Sequence, residues 1–452
     1  MSQTFIPVAA PVHRRRLSRL EIALAARRNV LEIIPALSYR QPIVTGEVLR
    51  RWHMLADPAG YKQVLLDNLP NYPKSEIMRR MLRPAIGGSL FNADGAEWKW
   101  QRQAVAPVFT HRNVTALAPA MSATAARAAG RLPAKGRAEL VSEMITATFD
   151  VICDVALSGR EHFDAHAFGA AITRYFETAG RTSLLDFLGV PEWFPRPGEL
   201  IAGAAVRTMH GMVGEAIAAR RAEIAQNGKG PADDLLDHML AAEDPETGRR
   251  MSATDLVNNM QFFIVAGHET TALAISWALY LLANSPDQQE RARAEARAQL
   301  QGRVAKANDL AAMPFINQVL EEAMRLYPPV GLVARHVAAR DELCGRVMHP
   351  NDILFLPIWA LHRHEMWWEK PELFDPERFR PGINRDRYQY LPFGAGPRVC
   401  VGANFAMMQA NIILSALIQN FRFTQARPLP EPVMTMTVRP QPGIFLEVER
   451  LD

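Results

Sequence analysis

Cysteine is scarce in this 452-residue chain. Cys153, Cys344 and Cys400 lie far apart and form no CxxC pair, which excludes a disulfide framework and points to a reducing compartment. Charge of one sign is also lacking: 51 basic residues face 47 acidic ones, and a net charge of +4 gives no ground for nucleic-acid binding. The N-terminus has no uninterrupted apolar core of the kind a secretory signal needs. No repeat or low-complexity block is present, which argues against solenoid folds. The string AGHETT, 266–271, resembles a zinc HExxH motif only superficially, because Ala272 stands where the second histidine is required.

What is present is enough apolar residue, 48%, to bury one large core or two ordinary ones. Residues 17–34 read as an amphipathic helix stopped by Pro35, and residues 14–28 hold six arginines against one acid, Glu21. That helix is an ordinary first helix with a solvated basic face, a membrane-surface helix or a transit peptide. Residues 43–55 have strand character and 58–67 suit a short helix. From 114 to 225 the chain is alanine-rich and helical in period, broken at 187–198 by prolines and aromatics that suit a lid, a membrane contact or a self-packed loop. Residues 227–233 form a polar linker between helices.

Ser252, with Asp255 three residues on, opens a helix that runs to about residue 284, roughly 45 Å at the standard rise. Its middle is apolar enough to span a membrane, but His268 and Glu269 near its centre are costly in lipid, so it reads as a helix through a globular core. Gly267 within it suggests a kink or the close approach of a ligand. A further helix, 314–327, carries Glu322 and Arg325 on one face. Residues 330–337 and 352–359 read as strands, and 427–446 as a late β-hairpin. Trp98 and Arg102 share a helix face, either as a surface stack or as part of a site.

The stretch LPFGAGPRVCVG, 391–402, delivers Cys400 through a glycine-bent loop to the start of an apolar helix. A helix N-terminus stabilises thiolate, so this sulfur is a nucleophile or a metal ligand.

Together these strings resemble the cytochrome P-450 superfamily, the haem-thiolate monooxygenases, over nearly the whole chain from about residue 17. FGAGPRVCVG matches the family's cysteine loop, Glu322-Ala323-Met324-Arg325 its ExxR helix, FDPERF (374–379) the segment that adds Arg378 to that ion pair, AGHETT its oxygen-activating centre, and Trp98…Arg102 its haem-propionate motif. The resemblance implies a mainly α fold with smaller β-sheets (α+β), a long central helix over the haem and the cysteine-loop helix beneath it. It implies one domain, 1–452, with 1–16 as a flexible tail.

It further implies haem b held by Cys400 as proximal thiolate, with Trp98, Arg102, Arg335 and Arg398 on the propionates, Phe393 near the sulfur and Ala266 facing the ring. A thiolate ligand favours O–O cleavage. Thr270 and Glu269 match the acid–alcohol pair that relays protons, although Thr270 can instead bond back to its own helix and Glu269 can pair with a base. Glu322, Arg325 and Arg378 would hold the loop. The substrate pocket would use Met78, Met81, Leu82, Phe262, Phe263, Val330, Leu332, Val333 and Met436, mostly apolar. Arg79, Arg80 or Arg83 would anchor a substrate carboxylate. Cys153 and Cys344 would be inert buried thiols.

The expected activity is insertion of one oxygen atom of dioxygen into an apolar substrate (fatty acid, terpenoid or steroid-like) by hydroxylation or epoxidation. Electrons would come from NAD(P)H through an external ferredoxin or flavodoxin with its reductase, since only about 30 residues follow the cysteine helix, far short of a domain. The protein would be a cytoplasmic monomer with no transmembrane span. A peroxide-using or hydroperoxide-rearranging haem-thiolate enzyme and a non-enzymatic haem sensor or carrier are the rival readings.

Overall fold

The computed structural model describes residues 5–15, 17–48, 50–156, 164–179, 197–228, 234–244 and 247–451. The proline-rich break at 187–196 and the polar linker at 229–233 lie outside them. The central element is the helix Ala253–Ala283, opened by a capping box in which Ser252 and Asp255 satisfy each other's backbone N–H groups. Most of its residues are buried, so its apolar composition serves the protein core. It packs most extensively on the helix Leu140–Ala156, then on Pro197–Asn227, Pro314–Leu326 and Ala403–Asn420. A Cβ on Gly267 would stand 2.9 Å from Ile152, so the glycine permits the close approach of Leu140–Ala156.

Among the described residues, four small sheets complete the fold. β1 (Ile43–Glu47), β2 (Arg51–Leu55), β7 (Ile353–Leu356) and β4 (Val333–His336) form a sheet of order β1-β2-β7-β4, with β2 and β7 parallel and the other pairs antiparallel. β11 (Phe445–Arg450) lies between β3 (Lys135–Glu139) and β8 (Phe421–Gln425). β5 (Asp341–Leu343) pairs with β6 (Arg346–Met348), and the late hairpin is β9 (Glu431–Met434) with β10 (Val438–Gln441). Strand β3 and the β5–β6 hairpin were not expected from the sequence; neither has a clear apolar alternation, and β3 exists only because β11 covers it.

Three expectations are corrected. The first helix is Arg19–Arg28, not 17–34: Asn29 leaves helical geometry at φ −154°, its side chain donating to Pro432 O and accepting from Met434 N–H, both at 3.0 Å. Of the tail expected to be flexible, Phe5, Val8 and Ala10 are docked. Tyr327 donates to the Val8 carbonyl at 2.7 Å, Phe5 meets the Tyr280 ring edge-on at 5.8 Å, and Ala10 is buried. Cys153 is buried as expected, but Cys344 is exposed at the β5–β6 turn with φ +49°, its thiol pushed up to about 12 by its surroundings and by Asp57.

Candidate active site

Between the central helix and the cysteine loop lies a cavity of about 410 Å³. Its floor is the loop itself. Gly394 (φ +70°) and Gly396 (φ +69°) turn the chain, a short 3₁₀ turn, Gly396–Arg398, follows, and the helix Ala403–Asn420 starts after Gly402. Gly396 has no alternative, since a Cβ there would sit 2.0 Å from the Leu65 carbonyl oxygen. The Cys400 N–H donates to the Phe393 carbonyl at 2.9 Å, closing the loop. Cys400 and Phe393 both line the cavity. Burial pushes the Cys400 thiol up, and the Gly402 backbone and the Arg102 charge counter this only in part.

The loop is held from behind. Glu322 and Arg325, fully buried, form a two-pronged ion pair at 2.6 and 2.7 Å. Arg325 also donates to the carbonyls of His362, Pro371 and Leu373, and Glu322 accepts the Asp375 N–H at 2.9 Å with Arg378 3.4 Å away. The pair is therefore a buried brace for the 371–378 segment rather than the exposed helix salt bridge that its spacing alone suggests. Leu391 N–H, at the mouth of the loop, donates to His362 Nε2 at 2.8 Å.

One rim of the cavity is cationic. Arg102, Arg335 and Arg398 line it together with Trp98, and so does Lys74, which the sequence reading missed. Arg398 stacks 4.5 Å above Trp98, donates to the Ala93 carbonyl at 3.0 Å and pairs with Asp94. Arg102, Arg335 and Lys74 have no ion pair among the described residues; Lys74 donates to the Phe91 carbonyl. Burial, reinforced by neighbouring arginines, lowers the Arg335 guanidinium to about 10 and the Lys74 ammonium to about 7. Crowded positive charge of this kind is costly unless an anionic group balances it. A thiol on the floor, an under-compensated cationic rim and apolar walls fit a haem with its two propionates, and the chemistry of the donor set supports Cys400 as the group that would meet its iron.

The roof is the central helix. Ala266, Gly267, Thr270 and Thr271 line it. The Thr270 hydroxyl donates to the Ala266 carbonyl at 2.9 Å, one turn back. Glu269 departs from expectation: it is outside the cavity wall, buried beneath β10, where Arg439 and Thr437 both donate to its Oε1. Its neighbour on the helix faces the cavity, but a rotation of one residue along a helix changes the face.

Of the expected pocket residues, Met78, Phe262, Phe263, Val330 and Val333 line the cavity. Met81, Leu82 and Leu332 are buried behind the wall and Met436 is half-buried outside it. The helix Glu76–Ile86 can offer only one face to the cavity, and Leu82 belongs to the core on the other. Phe91 and Phe109, not foreseen, extend the wall into an aromatic run: Phe91–Phe262 at 5.8 Å, Phe262–Phe263 at 5.1 Å, Phe263–Phe109 at 5.3 Å. Arg79, Arg80 and Arg83 are not in the wall. Arg79 pairs with Glu76 and Asp94, Arg80 lies 3.7 Å from Glu199, and Arg83 is exposed, so the expected carboxylate anchor is withdrawn.

A family model described as Cytochrome P450 matches residues 42–448. Similar proteins include cytochrome P450 4F2 of Homo sapiens (30% identical, covering 84% of this chain and 77% of that protein), cytochrome P450 4F3 of Homo sapiens (29%, 88% and 82%) and a cytokinin hydroxylase of Arabidopsis thaliana (29%, 86% and 77%). The fold is similar to that in the crystal structure of the cytochrome P450DA heme domain, with a TM-score of 0.81 at 24% identity over 99% of this chain and 98% of that one. These relatives overturn one expectation. The cytoplasmic location expected from the sequence is contradicted by the human 4F and 4V2 proteins among them and is not retained for this chain.

Proposed function

The chain belongs to the cytochrome P450 family, the haem-dependent monooxygenases, and from that premise we propose that it hydroxylates an uncharged hydrocarbon portion of a lipid-like substrate. The observation that carries this reading is a single cavity holding Cys400, a cationic rim and Thr270 inside otherwise apolar, phenylalanine-rich walls. Haem b, when bound, supplies the activation of dioxygen and the transfer of one of its oxygen atoms to carbon.

The chain's own groups divide the remaining work. Cys400 would ligate the iron from the floor, its backbone fixed by the bond to Phe393 and its loop braced by Glu322, Arg325 and Arg378. Arg102, Arg335 and Arg398, with Trp98, would hold the two propionates, for which a guanidinium's planar fork is suited. Lys74 adds a fourth positive charge at that rim. Ala266 is small enough to leave room beneath the roof. Thr270 Oγ1, resting on the Ala266 carbonyl, can turn its hydroxyl into the cavity and hand on a proton there. Glu269 is taken up by Arg439 and Thr437, and its role is to fix the β9–β10 hairpin to the central helix.

Substrate class follows from what remains once the rim cations are engaged. Thr270, Thr271, Ser75 and the phenylalanines face the cavity, so selection rests on shape and apolar contact. The hydroxylase name of the Arabidopsis thaliana relative supports C–H hydroxylation over epoxidation. Electrons would be delivered by a separate iron–sulfur or flavin protein. The test is turnover of a panel of hydrocarbons, terpenoids and steroids under isotopically labelled dioxygen, with NADPH and a surrogate ferredoxin system. One labelled oxygen in an alcohol product is expected. Product formed from peroxide, with none from the reductase system, would replace this reading with a peroxide-driven one.

A further inference from the structure

The cysteine loop is tied to the rest of the site by an imidazole. His362 lies at the end of a short helix, Ile358–Leu361, that follows β7 after Pro357. β7 pairs with β4, where Leu354 stands opposite Arg335 of the cationic rim. His362 is fully buried and bonds at both ends. Its carbonyl accepts from Arg325 of the ion-pair brace at 2.9 Å, and its ring Nε2 accepts the Leu391 N–H at 2.8 Å. Leu391 is also buried and stands just ahead of Phe393, whose carbonyl holds the Cys400 N–H. The ring lies 5.2 Å from that of Tyr390, whose hydroxyl donates to the Glu321 carbonyl at 2.9 Å. Rim sheet, brace and loop therefore meet at His362.

The chemistry of that ring is fixed by its partner. A backbone N–H can only donate, so Nε2 must present a lone pair and the ring's single proton sits on Nδ1. Burial, then the charges of Arg325 and Arg363, push the imidazole well below its ordinary value, against the pull of the Arg325 and Met324 carbonyls. The neutral ring is thus the form present at neutral pH. Its Nδ1 completes no hydrogen bond among the described residues. An unpaired buried N–H is costly, and a phenyl ring of similar shape would avoid it. What the imidazole has and a phenyl ring lacks is the lone pair that holds Leu391.

We propose that His362 is a positioning residue for the thiolate: by accepting the Leu391 N–H it sets the cysteine loop against the Glu322–Arg325 brace and the rim sheet, and so keeps Cys400 in place as the ligand of the haem iron. The proposal rests on the reading of Cys400 as that ligand. Without the acceptor, the Leu391 N–H is buried and unpaired, and the loop relaxes by shifting toward another partner. The Phe393 carbonyl then moves with the chain, and the Cys400 N–H that it fixes is released. His362 touches neither substrate nor the sulfur in this role and acts only through the loop.

The test compares His362→Phe, which keeps a ring against Tyr390 but has no acceptor, with His362→Gln, whose Oε1 reaches the place of Nε2. In the reduced, carbon monoxide-bound full chain, a strongly red-shifted Soret band reports the thiolate ligand and an unshifted band its loss. The rate of conversion from the first band to the second is measured at one temperature, well below the melting of all three proteins. His362→Phe should convert about tenfold faster than the native protein, as loss of a buried hydrogen bond does, and His362→Gln should restore most of the native rate. A native rate in His362→Phe overturns the proposal even where its melting temperature falls, because the ring then serves packing alone. Equal rates in His362→Phe and His362→Gln also overturn it. Independently of any variant, nitrogen NMR of the native protein should show His362 neutral and protonated at Nδ1; an imidazolium, or a proton on Nε2, is incompatible with the role. A native protein with no red-shifted band would instead remove Cys400 as the ligand, and the proposal with it.

Discussion

Thr270 and Glu269 are neighbours in sequence that serve different partners, and each can be tested alone. Thr270→Val keeps the shape and removes only the hydroxyl that rests on the Ala266 carbonyl. Haem content and stability should be preserved, while product formed per NADPH consumed should drop by about tenfold or more, as loss of a positioned proton donor does. Unchanged turnover with product per NADPH intact would remove Thr270 from the proton path. For Glu269, burial pushes the carboxyl up, but Arg439, His268 and Thr437 together bring it below its ordinary 4.5. A depressed acid stabilises the fold above its unfolded value and loses that contribution as pH falls through the folded one. Glu269→Gln should therefore cost about 1–3 kcal/mol at neutral pH, less than breaking a fully buried pair because Arg439 is partly exposed. It should also flatten the loss of stability with acid below pH 4.5. Thermal melts across that range are the measurement.

The cysteine loop is an element whose two left-handed glycines differ in what surrounds them. A Cβ on Gly394 meets nothing within 4 Å, whereas on Gly396 it meets Leu65 O at 2.0 Å. Gly394→Ala should cost only the backbone penalty of about 1–2 kcal/mol. Gly396→Ala adds a backbone clash that no side-chain rotation relieves, and should cost at least about 3 kcal/mol and lower the haem-to-protein ratio on purification. Equal effects would mean that the Leu65 contact does not constrain the loop. The brace behind it makes a parallel prediction. Glu322→Gln breaks a fully buried ion pair and should destabilise the fold by about 3–5 kcal/mol in denaturant titration, with no change in substrate preference among the molecules that survive.

Across the whole molecule, the sequence exposes what local chemistry dictates and hides what distant partners decide. The central helix, its Ser252 cap, the ion-pair helix and the cysteine loop are legible because their residues carry capping, periodicity and turn requirements in consecutive positions. Asn29 interrupts its helix because the chain at 432–434 engages its amide, and β3 exists because β11 covers it; neither partner is visible from the local string. The site divides in the same way. Cys400, Arg102, Arg335, Arg398 and Thr270 meet in one cavity, whereas Lys74 has no motif around it and joins them only through the fold. Glu269 looks like a cavity acid until Arg439 is brought over it from the late hairpin. The account as a whole rests on a thiolate from Cys400 beneath a haem, and the absorption spectrum of the reduced, carbon monoxide-bound protein tests that most directly. It should show a strongly red-shifted Soret band that Cys400→His abolishes; an unshifted band in the native protein, or a shifted one that persists in the variant, would contradict it.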